Sequence, residues 1–269
     1  MSDNSDGWLP NDTRRSDDGR VQLSAWLLLF VVLFMVVSHV AQLWLLIVPS
    51  GQFKALHLGL GLIVVFLFAG EVTQRSAVKW MYWLMAAAAL ACVVYIFAVF
   101  DDLINERMFG PSQSDLVVGC LLLLLALAGA WMAWGPIIPI LAVSALLYGT
   151  FGYIFTSDLF YHSGIKFDRL ISYTSIPFFQ GLLGSMTGFS GSLIFVFMVF
   201  AGLLKSTGGI DFILTISSRL SGRSAGGPAK VAVLGSGMMG MISGSTVANV
   251  ASTGAITIPL MKKNGFSPE

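Results

Sequence analysis

Six apolar runs follow one another along this chain without a single Asp, Glu, Lys or Arg: Ser24–Val48, Leu56–Gly70, Trp80–Phe100, Leu116–Trp134, Gly135–Phe155 and Gly188–Leu204. A helix needs ~20 apolar residues to cross about 30 Å of hydrocarbon, and most of these runs are near that length. Leu56–Gly70 is short and must borrow flanking residues. Alternating strand patterns are absent and the runs are too long for barrel strands, so each reads as a crossing helix. The fourth and fifth runs are separated only by a tight turn at Trp134-Gly135-Pro136.

Composition agrees. Charged residues make up 11% of the chain and hydrophobic residues 56%, with a mean hydropathy of +0.81. A soluble domain carries about 25% charged residues. One soluble core cannot hide that apolar surplus, so the solvent is a lipid bilayer. A soluble enzyme and a disordered chain are both excluded. Fifteen basic and 14 acidic residues leave a net charge of +1, which gives nucleic acid no basic surface. Cys92 and Cys120 sit in apolar runs and form neither a disulfide framework nor a metal cluster.

Basic residues in the loops set the orientation. Arg14, Arg15 and Arg20 precede the first span, Arg75 and Lys79 follow the second, and Lys205, Arg219, Arg223 and Lys230 follow the sixth. Lys54, Arg107, Lys166 and Arg169 fall on the other side. A cytoplasmic N-terminus therefore places nine basic residues inside and four outside, in a multi-pass membrane protein. Residues 1–23 read as a polar, disordered cytoplasmic tail. The first run follows a long polar stretch and lacks a small-residue cleavage site, so it is expected to stay as a span. Lys166–Ile176 and Ile210–Leu220 are short and mixed, and read either as interfacial amphipathic helices or as ordinary loop helices. The expected fold is thus all-α: about six spans, interfacial helices, and one further element.

That element is Val231–Met261, VAVLGSGMMGMISGSTVANVASTGAITIPLM, charge-free and flanked by Lys230, Lys262 and Lys263. It is too long for one crossing and too short for two. Its centre, Ser243-Gly244-Ser245-Thr246, is a poor helix former. Two limbs of about 13 residues at 1.5 Å each would reach ~20 Å, past the bilayer middle and back. A re-entrant hairpin results, and broken backbone at that depth is tolerated where it is buried or lines a watery cavity. The second limb's N–H groups would favour an anion at the tip. The first limb's free carbonyls, with Ser243, Ser245, Thr246 and Asn249 oxygens, would favour a hard monovalent cation such as Na⁺. Within the same stretch AKVAVLGSGMMG imitates a dinucleotide fingerprint. No Asp or Glu follows it between Asp211 and Glu269 to hold a ribose, and no alternating strands and helices surround it. Gly184-x-x-x-Gly188 and Gly240-x-x-x-Gly244 also fit close helix packing.

Glycine use shifts along the chain: 16 of its 29 glycines lie in 181–265. The expected organisation is a four-helix module over 24–134 and a second module over 135–269 that contains hairpin 231–261. GGPAKVAVLGSGMMGMISGSTVANVASTGAITIPLMKKNGFSPE (226–269) resembles the signature of the large membrane subunit of TRAP transporters, the tripartite ATP-independent periplasmic transporters. FAGLLKSTGGIDFI and LLYGTFGYIF resemble the TAXI branch, in which small and large membrane subunits form one chain. Residues 24–134 look like the fused small subunit, mostly by architecture.

The resemblance implies an elevator-type secondary transporter. It would be driven by Na⁺, fed by a periplasmic substrate-binding protein and used to import small organic carboxylates. The family motif SGS-x-x-AN carries onto Ser243, Gly244, Ser245, Ala248 and Asn249. Thr253 and Gly254 match the following TTG-like position, with Ser252 in place of the first threonine. Family members continue with a second inverted half, so the resemblance implies that a longer or separate chain completes the transport module.

The other polar residues have plainer readings. His39, Gln42 and His57 read as hydrogen-bonded between helices, with a functional role as the alternative. Asp101, Asp102 and Glu106 read as a solvated outer loop or as a contact for a binding protein. His162 has too few neighbouring ligands for a metal. Trp80, Tyr82, Trp83, Trp131 and Trp134 read as interfacial anchors. No paired carboxylates, His cluster or Ser-Lys dyad lies within a span, so catalysis is not expected, and no filter motif indicates a channel. The alternative to a permease is a structural or assembly membrane protein without transport of its own.

Overall fold

A computed structural model describes residues 23–73, 75–156, 159–221, 226–241, 246–263 and 265–267. Every regular element among them is helical, and six helical segments are long and apolar enough to cross a membrane. The polar tail lies outside the described residues.

The first span is α1 (Leu23–Leu45) and the second α2 (Ser50–Val72). The short run Leu56–Gly70 does borrow residues at both ends. Leu46 takes a positive φ between the two helices, and the Gln42 side chain closes the turn. Its Nε2 donates to the Val48 carbonyl at 2.8 Å, and its Oε1 accepts from the Val48 amide at 3.0 Å. The polar group inside the first span is therefore spent on a turn, since backbone left unpaired at membrane depth is costly.

The third span is α3 (Ser76–Ala98), followed by the short α4 (Phe100–Asn105) and the fourth span α5 (Gln113–Trp134). The core lies where α2, α3 and α5 meet, around Leu60, Ile63, Phe66, Ala89, Ile96 and Leu122. Glycine makes the closest approach possible. A Cβ at Gly59 would overlap Cγ2 of Val93, and one at Gly129 would come within 2.8 Å of Leu62 Cδ2. Small residues at helix contacts are how bundles pack when lipid removes the hydrophobic drive between helices. Outward faces stay apolar, with Phe30, Leu33, Leu84, Val94 and Leu124 exposed, as a bilayer requires.

The loop that holds Asp101, Asp102 and Glu106, read as solvated or as a contact for a binding protein, is organised around Asp115, which is fully buried. Ser112 caps α5 by accepting from the Asp115 amide, and Asp115 accepts from the Ser112 amide at 2.7 Å. Tyr95 Oη donates to Asp115 at 2.7 Å, and Arg107 lies 3.6 Å from Asp115 and 2.9 Å from Asp102. Gly135, at φ 77°, ends α5 at the expected turn.

The fifth span comprises α6 (Ile137–Phe151) and a 3₁₀ turn, Gly152–Ile154. His162 ties the following loop back: its Nε2 donates to the Tyr148 carbonyl, and its Nδ1 accepts from the Gly164 amide, both at 3.0 Å. Lys166–Ile176 contains α7 (Phe167–Thr174), with Ile171 and Ser172 buried and Phe167, Arg169 and Tyr173 exposed.

The sixth span departs most from the expected Gly188–Leu204. It begins at Gly181 and is broken: a 3₁₀ turn (Gly181–Leu183), α8 (Ser185–Phe189), a π turn (Ser190–Ile194) and α9 (Phe195–Ser206). Gly184, Ser185, Ser190, Gly191 and Ser192 are poor helix formers, which hid its start in the sequence and explains its irregular backbone. Ile210–Leu220 forms α10 (Gly209–Ser221), reached through Gly208 at φ 78°.

Candidate functional site at the paired helices

The stretch read as a hairpin folds as two helices packed on each other, the first of which also packs on α10. These are α11 (Gly227–Gly240) and α12 (Thr246–Lys263). Gly226 at φ 78° and Pro228 in the first turn start α11 sharply. At 1.5 Å per residue, α11 is ~21 Å long and α12 ~27 Å. The second limb is thus longer than the 13 residues expected, because it runs through Pro259 to Lys263. Lys262 and Lys263 occupy its last turn, where cations suit the negative end of the helix dipole.

Ser243, Gly244 and Ser245, the expected centre of the tip, lie outside the described residues. Thr246 opens α12 and is exposed. Its helix brings N–H groups to the same end at which α11 presents its last carbonyls, the arrangement the hairpin reading called for.

Asn249, in the first turns of α12, is the residue that crosses the gap. Its Nδ2 donates to the Ser236 carbonyl at 3.0 Å and contacts Ser236 Oγ at 3.2 Å. A carbonyl only accepts, so the amide NH₂ must face it and Oδ1 must turn the other way. Oδ1 is buried and has no hydrogen-bond partner among the described residues. A Cβ on Gly240 would come within 3.4 Å of Asn249 Nδ2, so glycine there leaves room for the amide.

Thr253 is buried, and its hydroxyl donates to the Asn249 carbonyl at 2.7 Å. Thr257 repeats the pattern on Thr253 at 2.7 Å. Gly254 is half-buried one turn further down. Thr253 and Gly254 therefore lie behind Asn249, supporting it along the helix. The structure adds Ser236 and Thr257, which the motif did not single out. Ser236 lies inside the glycine-rich run that imitated a nucleotide fingerprint, and its spacing carried no signal. On the other side of α11, Ser217 of α10 donates to Met238 Sδ at 3.7 Å.

No acid occurs on α11 or α12. An unpartnered amide oxygen, hydroxyls and helix-end carbonyls are ligands for a monovalent cation, whereas a divalent one recruits carboxylates. No group of three or more His, Cys, Asp or Glu that could hold a metal occurs among the described residues.

A second polar cluster lies far along the chain. His39 Nδ1 is 2.6 Å from the Met35 carbonyl, His39 Nε2 is 2.8 Å from His57 Nδ1, and His57 Nε2 is 3.0 Å from Ser190 Oγ. The expectation that these histidines are hydrogen-bonded between helices holds. Ser190, their partner on the sixth span, went unnoticed in the sequence.

Residues 118–269 match the family described as Tripartite ATP-independent periplasmic transporter, DctM component. The match begins inside α5 and covers more than half of the chain. An uncharacterised protein, YgiK, of Salmonella typhimurium is 38% identical over 90 residues, 33% of this chain and 20% of that protein. The uncharacterised protein y4mL of Sinorhizobium fredii is 38% identical over 73 residues, 27% of this chain and 17% of that protein. A putative TRAP transporter large permease protein of Haemophilus influenzae is 35% identical over 71 residues, 26% of this chain and 17% of that protein. The matched segments thus span a fifth or less of these relatives. No solved structure matches the chain.

Proposed function

The chain belongs to the DctM-component family of tripartite ATP-independent periplasmic transporters, and we propose that it is a membrane permease component of a Na⁺-driven, binding-protein-dependent secondary transporter. The proposed cargo is a small organic carboxylate, delivered by a periplasmic substrate-binding protein across a bacterial inner membrane. In this reading, residues 24–134 serve as the fused small-subunit scaffold and 135–269 as the first part of the transport module. The second half of that module comes from a longer or separate chain.

The observation that carries the ion assignment is Asn249: its Oδ1 is buried beside the mouth of the α11–α12 pair with no partner among the described residues. A buried acceptor left unpaired costs about 1–3 kcal/mol, so a residue that keeps one needs a ligand to offset it. Na⁺ bound there would take Asn249 Oδ1 together with oxygens of Ser243, Ser245 and Thr246. The positive end of α12 faces the same place and suits the carboxylate of the cargo. Thr253 and Thr257 position Asn249 by tying down the carbonyl side of its helix.

The test is uptake across a Na⁺ series by the complete transporter, normalised to membrane protein. Ser245→Ala and Asn249→Ala are expected to raise the Na⁺ concentration for half-maximal uptake with nearly unchanged membrane abundance. Lost abundance with an unaltered Na⁺ response in the surviving protein would remove the ion assignment.

A further inference from the structure

The His39–His57–Ser190 cluster joins α1 and α2 to the π turn of the sixth span, away from the hairpin, and the ion site makes no use of it. Its protons can be placed from the geometry. The Met35 carbonyl only accepts, so His39 Nδ1 must carry a hydrogen. His39 Nε2 is then a lone pair, and His57 Nδ1 donates to it. His57 Nε2 is left to accept from the Ser190 hydroxyl. This is the arrangement of the neutral pair: both rings carry hydrogen on Nδ1, and every bond points from Ser190 towards Met35.

Only one end of this chain can reverse. A hydroxyl accepts as readily as it donates, whereas a carbonyl cannot donate. If a proton enters, Ser190 Oγ turns to accept from His57 Nε2. One hydrogen still lies between His39 Nε2 and His57 Nδ1, on either ring, and no bond is lost. A second proton would set N–H against N–H.

The surroundings bear on such a charge from both sides. Phe195 and Phe53 pack on His39 with ring centroids 4.4 and 5.0 Å away, within the ~6 Å range at which aromatic rings attract cations. Apart from His39, α1 carries no ionisable side chain. On α2, Lys54 lies one turn before His57, against Gly188, and opposes a proton. Glu71 is at the far end of α2, and Lys205 belongs to the last turn of α9.

We infer that His39, His57 and Ser190 form a binding site for a single proton, taken up on acidification and shared between the two rings. The N–H···N bond becomes charge-assisted when the proton is held. Uptake therefore strengthens the contact between α1–α2 and the sixth span.

The chain has three histidines, so nitrogen NMR of the ¹⁵N-histidine-labelled protein in lipid nanodiscs can follow each, with His162 as the reference. At neutral pH, His39 and His57 should both be Nδ1–H tautomers. On acidification both rings should change with one midpoint and take up one proton between them. Ser190→Ala should lower that midpoint by about one pH unit, because the charged ring loses its acceptor. The inference is overturned by an Nε2–H tautomer in either ring, by two independent midpoints, or by rings that stay neutral until the protein unfolds. An unchanged midpoint in Ser190→Ala also overturns it.

Discussion

Asn249 on α12 and Ser236 on α11 are held together through the main chain, with the amide nitrogen 3.0 Å from the Ser236 carbonyl. The Ser236 hydroxyl, at 3.2 Å, is the lesser partner. Substituting Ser236 leaves the main-chain acceptor in place, while substituting Asn249 removes the donor and leaves that carbonyl only its bond within α11. Ser236→Ala should therefore destabilise by less than Asn249→Ala, and both by no more than about 1 kcal/mol, small enough to leave membrane abundance nearly unchanged. The double variant should match Asn249→Ala alone. Thermal unfolding of the purified protein in one detergent measures the order. Additive losses would mean that the two residues act separately.

Gly59 should reject even a methyl group. A Cβ there overlaps Val93 Cγ2, and the Ala89 carbonyl lies 3.9 Å away on the same face. Gly59→Ala is expected to destabilise by about 1–3 kcal/mol through overpacking at the α2–α3 contact. Val93→Ala opens the space and should restore part of the loss in the double variant. Fluorescence-detected size exclusion after heating reads both effects. A Gly59→Ala protein as stable as the parent would place the two helices further apart.

The runs that gave up their spans most readily were those whose charge pattern and helix propensity agree, such as Trp80–Phe100 and Leu116–Trp134. The sixth span was legible only from Gly188, because its entry through Gly181, Gly184 and Ser185 has the composition of a loop. In the hairpin, the two limbs could be read from length and helix-breaking residues, and Asn249 as an oxygen donor near the tip. The partner of Asn249 could not. Ser236 presents a main-chain oxygen, and any residue at that position would offer the same atom. The His39–His57 contact was anticipated only as some bond between helices. Its third member lies 133 residues beyond His57, in a serine–glycine turn that no local pattern marks.

Asp115 anchors the loop between α4 and α5 more tightly than the more exposed acids around it. It is fully buried, accepts from Tyr95 and from the Ser112 amide, and forms an ion pair with Arg107 at 3.6 Å. Removing one partner of a buried charged network costs about 3–5 kcal/mol. Asp115→Ala should approach that range, whereas Tyr95→Phe should lose about 1–2 kcal/mol. Asp101→Ala should stay within about 0.5 kcal/mol, because that side chain is exposed. Heat-challenge retention of the monodisperse protein ranks the three. Equal losses at Asp101 and Asp115 would mean that the buried network adds nothing.

The orientation of the bundle can be read with cysteines, because the native ones are poorly placed to react. Cys92 is buried and Cys120 half-buried, both within spans. A Cβ on Gly110 would have nothing within 4 Å, so Gly110→Cys adds a thiol to the loop between α4 and α5 without disturbing it. Ser76, exposed at the start of α3, lies one crossing away. The nine-to-four split of basic residues predicts a cytoplasmic N-terminus and places Gly110 outside in that prediction. A membrane-impermeant maleimide should therefore label Gly110→Cys in intact cells and Ser76→Cys only after permeabilisation. The reverse pattern would invert the protein and carry the α11–α12 mouth to the opposite entry side. Labelling of both in intact cells would mean that α3 does not cross at all, contradicting its 23 apolar-rich residues.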